Sequence, residues 1–160
     1  MNVPTINDRL DRFPQLKTDP NFRLNSPFDQ RYNCIAYASN KTDRFLWPAL
    51  KDGLDWPSDV PFDDSIPSFI ALFEKQEYVQ CAGAEYEDKF QKIAIYEKDG
   101  KTSHASKQLA DGRWVSKMGN LEDIIHSNPE SLNGPGYGAV KVIMKRPNES
   151  FILAKAKYAK

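Results

Sequence analysis

The chain has 160 residues, 22 basic and 22 acidic, and a formal net charge of zero. That length suits one domain with a buried core, and the interspersed charges set up no field that would recruit nucleic acid or an anionic membrane. No stretch approaches the roughly 18 apolar residues a membrane helix needs.

The first residues, MNVPTINDRLDRFPQL, lack the basic-then-apolar profile of a secretory signal. The cytoplasm is therefore the expected compartment, with export by another route left open. A single domain over 1–160 is expected, with 1–26 extended or irregular and 27–160 forming the core. Prolines at 4, 14, 20, 27, 48, 57, 61 and 67 cut the first half into short pieces.

SPFDQRYNCIAYAS predicts a loop and then a short helix, with Asn33 or Asp29 as its cap. FLWPALKDGLDWPSD carries two Trp-Pro dipeptides. Proline biases the residue before it toward extended geometry, so Trp47 and Trp56 are expected on a loop. They either line a groove or close the edge of the core. SIPSFIALFEKQ is the clearest helix: Ser65 caps it, Pro67 sits in its first turn, and Ile66, Phe69, Ile70 and Phe73 share one face.

The second half changes character. Asp99-Gly100 and Asp111-Gly112 each separate alternating segments, and Asp-Gly favours two-residue hairpin turns. An antiparallel meander over about 91–98, 101–109 and 113–118 follows. NLEDIIHSN is expected as a short helix capped by Asn120, with His126 near its C-terminal end. GYGAVKVIMKRP should be a strand stopped by Pro147, and FILAKAKYAK a last strand or helix with a solvated tail. Helices early and strands late give an α+β domain.

Tight turns fix register. On that basis Lys98 pairs Lys101, Ile95 pairs His104 and Leu109 pairs Trp114. His104 then shares a face with Ile93, Ile95, Ser106, Gln108, Val115 and Lys117, in the central strand. A bulge in either hairpin would overturn this assignment.

Two cysteines, Cys34 and Cys81, are too few for a disulfide framework. With His104 and His126 they would complete a Cys₂His₂ set, but such sites place their ligands in close pairs and these four lie far apart. No metal and no other cofactor is expected. Cys81 is expected to serve packing and His126 to serve helix capping.

A cysteine at the head of an early helix and a histidine on a later strand resemble, in order, the papain-like cysteine hydrolases. A helix N-terminus favours thiolate and offers an N–H to an oxyanion, and imidazole can take the thiol proton. NCIAYA, SHASKQ, GRWVSKMG, the IIH that follows and YGAVKVIMKRP are similar to the pattern of an uncharacterised bacterial domain family, a domain of unknown function. These resemblances imply a papain-like α+β fold, with short N-terminal helices packed on an antiparallel meander sheet. They imply a hydrolase, deamidase or acyl transferase working on an amide or acyl bond. Cys34 would attack, His104 would act as base and acid, Asn120 would orient it, and the Cys34 N–H with Asn33 or Gln30 would hold the oxyanion. Trp47 and Trp56 would line the substrate groove.

A second alignment competes. KIAIYEKDGKTSHA is similar to the histidine strand of papain-like cell-wall peptidases, which puts Lys92 in the catalytic position and His104 in the orienting one. Lysine, with an ordinary pKa near 10.4, is no base at neutral pH. The alternative function is then a non-catalytic module that binds a partner protein through the Trp-Pro loop. In both readings the partner is a protein or peptide, not nucleic acid or membrane.

Overall fold

The computed structural model describes residues 6–26, 29–119 and 122–148. Two 3-10 segments, Ile6–Arg12 and Pro14–Thr18, come first. They lead into β1 (Arg23–Ser26) and α1 (Cys34–Ala38). Next come β2 (Phe45–Leu46), β3 (Leu54–Asp55) and α2 (Ile66–Glu74). Strands dominate from there: β4 (Val79–Cys81), β5 (Phe90–Lys98), β6 (Lys101–Gln108), β7 (Trp114–Lys117) and β8 (Asp123–His126). A 3-10 turn, Pro129–Leu132, precedes β9 (Ala139–Pro147).

Seven strands form one antiparallel sheet in the order β1-β8-β7-β6-β5-β9-β4, while β2 and β3 make a separate parallel pair. The papain-like expectation of short N-terminal helices packed on a meander is overturned. This is a mostly antiparallel sheet in which, among the described residues, only α2 is a helix of any length. The physical reason lies in the punctuation of the first half. Its prolines and short apolar runs support 3-10 turns and two-residue strands, not amphipathic helices of several turns.

The helices that do form follow their caps. Ser65 Oγ accepts the Ser68 N–H at 3.3 Å, and Ile66, Phe69, Leu72 and Phe73 of α2 are buried. Asn33 Oδ1 accepts from the N–H of Ala36 at 3.1 Å and of Leu46 at 3.0 Å, while its Nδ2 donates to Leu46 O at 2.8 Å. One asparagine thus starts α1 and holds β2 against it. The segment expected as a helix around His126 is strand β8, paired with β7 on one side and β1 on the other. DIIH alternates too little for an amphipathic helix face, and all four of its residues are buried, as a strand covered on both faces requires. The last segment, FILAKAKYAK, lies outside the described residues.

The three meander strands form as expected, but their register does not. Asp99 and Gly100 both have positive φ (54° and 77°), the geometry of a type I′ turn, and Lys98 pairs Lys101. The ladder then slips: Glu97 pairs Thr102 but Tyr96 pairs His104, which leaves Ser103 as an extra residue. Two bonds outside the ladder hold this bulge, Thr102 N–H to Asp64 O at 2.8 Å and Ser103 Oγ to Tyr137 O at 2.6 Å. At the second turn Gln108, not Leu109, pairs Trp114, and residues 109–113 form a wider loop closed by Leu109 N–H to Arg113 O at 2.7 Å. Each slip is one residue. Together they leave β5 and β7 on their expected faces, displaced by two residues, and turn β6 over between them.

Two cores result, one on each face of the sheet. Helices α1 and α2 cover Ile93, Ile95, Ala105 and Met144. The N-terminal 3-10 segments and Leu132 cover Ala94, Tyr96, Trp114 and Ile124. No helix among the described residues is long and apolar enough to cross a membrane.

Candidate functional site

Cys34 is the first residue of α1, as its sequence context suggests, but its side chain is buried among Tyr32, Ile35, Ile93, Ile95 and Ala105. Burial is the largest influence on its thiol and pushes the pKa up to about 11. The N–H groups of Ala105 and Ile35 and the charge of Lys117 pull only partly the other way. A five-residue helix has little macrodipole with which to offset this desolvation. At neutral pH the group is a thiol.

His104 lies on the other side of the sheet. Its ring stacks on Tyr137, with centroids 4.0 Å apart and planes 5° apart, and meets the Tyr96 ring edge-on at 5.1 Å. It is fully buried, and neither Nδ1 nor Nε2 has a hydrogen-bond partner. Desolvation holds its pKa well below 6.5, so the ring is neutral. Its partner in the ladder is Tyr96, whereas Ala105, which packs with Cys34, pairs Ile95. Adjacent strand residues point to opposite faces, so the structure does not bring Cys34 and His104 together.

The competing candidate, Lys92, shares the alternation of Ala94 and Tyr96 and so also sits away from Cys34. Its ammonium donates to Gly83 O at 2.7 Å and pairs with Glu87 at 3.1 Å, a structural role near the start of an interior strand. Asn120 lies outside the described residues. The Asn33 amide is committed to capping α1 and holding Leu46, and Gln30 is exposed on the preceding loop. Trp47 and Trp56 pack on one target, with ring centroids 5.2 and 5.0 Å from Phe69. They close the core's edge. Cys81 ends β4, half-buried, with its sulfur facing Gly83 O.

His126, expected to cap a helix, is buried in β8. Its Nδ1 lies 2.8 Å from Asn128 O, so Nδ1 carries the proton, and Nε2 accepts from Ser116 Oγ at 2.9 Å. Burial brings its pKa down to about 4.

What does lie on the Cys34 side was missed in the sequence. Asp123 Oδ2 accepts from Tyr32 OH at 2.7 Å and from Ser26 Oγ at 2.6 Å. Lys117 pairs with Asp123 across the strands, and its ammonium sits 5.2 Å from the centre of the Tyr32 ring. Burial lowers the Lys117 pKa, while Asp123, Asp29 and Cys34 oppose that pull. The alternation Val115-Ser116-Lys117 already puts Lys117 on the face of Ile93 and Ile95, where the structure has it; the company of Asp123, Tyr32 and Ser26 there was not read. The cluster supplies hydrogen bonds and charge, but no imidazole to take a thiol proton. Among the described residues, no group of three His, Cys, Asp or Glu side chains is placed to hold a metal ion.

A second feature stands at the surface, at the Trp-Pro loop. Ala49, Leu50, Lys51, Asp52, Leu54, Trp56 and Phe62 line an open cleft of about 680 Å³. Leu50 is 97% exposed and Phe62 52%.

Fold and site together define an antiparallel sheet protein with two small helices on one face and a sealed thiol beneath one of them. Residues 23–145 match the family described as a domain of unknown function (DUF7689), and the chain belongs to it. No curated protein and no solved structure matches the chain.

Proposed function

We propose that this chain is a non-catalytic binding module that receives a segment of a partner protein on its Trp-Pro loop. The observation that carries this reading is the exposed pair Leu50 and Phe62 on the open cleft above Trp56. Large apolar side chains set together at the surface, with a polar rim, mark contact sites. Leu50 has almost no contact with the fold, so core packing does not account for it.

Charge defines the partner further. Residues 45–64 hold five acids (Asp52, Asp55, Asp59, Asp63 and Asp64) and one base, Lys51. Lys75 pairs Asp59, but Asp52 and Asp64 have no ion pair among the described residues. A basic segment with one apolar anchor complements this surface. The buried, protonated Cys34 with no imidazole beside it supports the binding reading over thiol chemistry.

Titration with a lysine-flanked peptide carrying a single aromatic anchor, read by the fluorescence of Trp56, tests the reading. Saturable, salt-sensitive binding is expected in wild type and in Cys34→Ser, with a loss of about tenfold or more in Leu50→Asp. Equal binding by Leu50→Asp would contradict it.

A further inference from the structure

On the opposite side of the molecule, Arg9, Arg12, Phe13, Met118, Gly119, Gly136 and Tyr137 line a separate cavity of about 280 Å³. The geometry points to a site for a small phosphomonoester with an aromatic body, held by Arg9 and Arg12 at its mouth and by Phe13, Met118 and Tyr137 at its floor.

The segment Ile6–Arg12 is a 3-10 helix, in which side chains three apart stand above one another. Arg9 and Arg12 are three apart and both exposed, so their guanidinium groups share one side. Neither forms an ion pair among the described residues, and no described carboxylate lines the cavity. The nearby Glu122 is engaged elsewhere, its Oε1 accepting the Ile6 N–H at 2.8 Å. Two forks of N–H donors, with no described carboxylate paired to them, match the oxygens of a dianion, which guanidinium groups bind in bidentate fashion.

The floor selects the rest of the ligand. Phe13 and Met118 are almost fully buried, and the Phe13 and Tyr137 rings meet at 5.1 Å with planes tilted by 52°. Tyr137 is braced from behind by its stack on His104. At Gly119 a Cβ would meet nothing within 4 Å, which marks open space beside Met118. At Gly136 the Phe13 ring occupies the place where a Cβ would stand, so only glycine lets that ring form the wall. The volume, just below the range of drug-sized pockets, admits one ring and no more.

The test titrates the whole chain with phenyl phosphate, inorganic phosphate and phenol, following the Met118 methyl signal by NMR. Saturable binding of phenyl phosphate with a Kd of about 1 mM or tighter is expected, with inorganic phosphate and phenol each about tenfold weaker. Arg9→Gln and Arg12→Gln should each weaken phenyl phosphate about tenfold while leaving the melting temperature unchanged, since both side chains are exposed. Inorganic phosphate binding as tightly as phenyl phosphate would reduce the site to a cationic patch and overturn the proposal. Absence of saturation, or undiminished binding in both arginine variants, would also overturn it. The wild-type comparison of the three probes stands even if a variant misfolds.

Discussion

One face of the seven-stranded sheet is covered by α1 and α2, the other by 3-10 turns from the N-terminal segment and from Pro129–Leu132. The helical face holds Cys34, Lys117, Asp123 and the Phe69 cluster; the 3-10 face holds His104, His126, Tyr96 and Trp114. Both bury polar groups, but in different ways. Asp123 on the helical face receives two hydroxyl donors at Oδ2 and none at Oδ1, whereas both nitrogens of His104 on the other face are left without partners. A strand lets neighbours in sequence live in these two separate environments, and one extra residue exchanges them. The difference teaches that a cysteine and a histidine in hydrolase order define a dyad only after register is known.

The largest expected effect comes from emptying the helical face. Phe69 is fully buried and both Trp47 and Trp56 rest on it, so Phe69→Ala should cost about 4 kcal/mol. Denaturant unfolding followed by fluorescence should also show red-shifted emission, because two of the three tryptophans lose their cover while Trp114 on the far face does not. A cost below about 1 kcal/mol would mean this face is not one packed unit.

A smaller loss is expected where α1 is tied to β2. Asn33→Ala removes a cap and orphans the Leu46 N–H and C=O, which should cost about 3 kcal/mol. Asn33→Asp keeps the acceptor for Ala36 and Leu46 but loses the donor, and should fall between the two. Chemical denaturation of both variants checks this order.

The 3-10 face should reveal itself through acid. His104 is held well below 6.5 and His126 at about 4, both chiefly by burial. Among the described residues no carboxylate or cation is recorded against the His104 ring, which meets Tyr96, Tyr137 and, more distantly, His126. Unfolded imidazoles take up protons below about 6.5 and these folded ones do not, so stability is full above that pH and declines as pH falls toward the folded values. Between about pH 7 and about pH 5 His126, held at about 4, should cost about 2 kcal/mol, and His104 should add a loss of the same sign. His104→Phe keeps a ring against Tyr137 and should remove the His104 share of that loss, leaving a shallower decline. An unchanged pH slope would show that His104 is not buried and neutral.

Much of this architecture was legible locally. Ser65 and Asn33 announced their helices, Asp99-Gly100 its turn, and the Ala139–Pro147 strand its stop, because caps and tight turns act over a few residues. What could not be read were choices made by distant groups. The bulge at Ser103 depends on Tyr137 and Asp64, which lie far from it in sequence. The conversion of DIIH into a strand depends on β1, some hundred residues earlier, where Ser26 reaches Asp123. The site reading failed at the same point. Cys34 was placed correctly at the head of α1, but its burial and the face of its expected partner follow from register. Trp47 and Trp56 were readable as aromatic loop residues, and their shared target, Phe69, was already visible on the helix that follows.

The separation of Cys34 from His104 is tested most directly by alkylating both cysteines across the imidazole and thiol titration range in wild type and His104→Phe. Cys34 should react more slowly than half-buried Cys81, and its rate should follow thiolate formation well above the free value of about 8.5. Its profile should be the same in His104→Phe, because no imidazole touches the thiol. Rapid alkylation of Cys34 below about pH 7, lost in His104→Phe, would place the two side chains together and contradict the account.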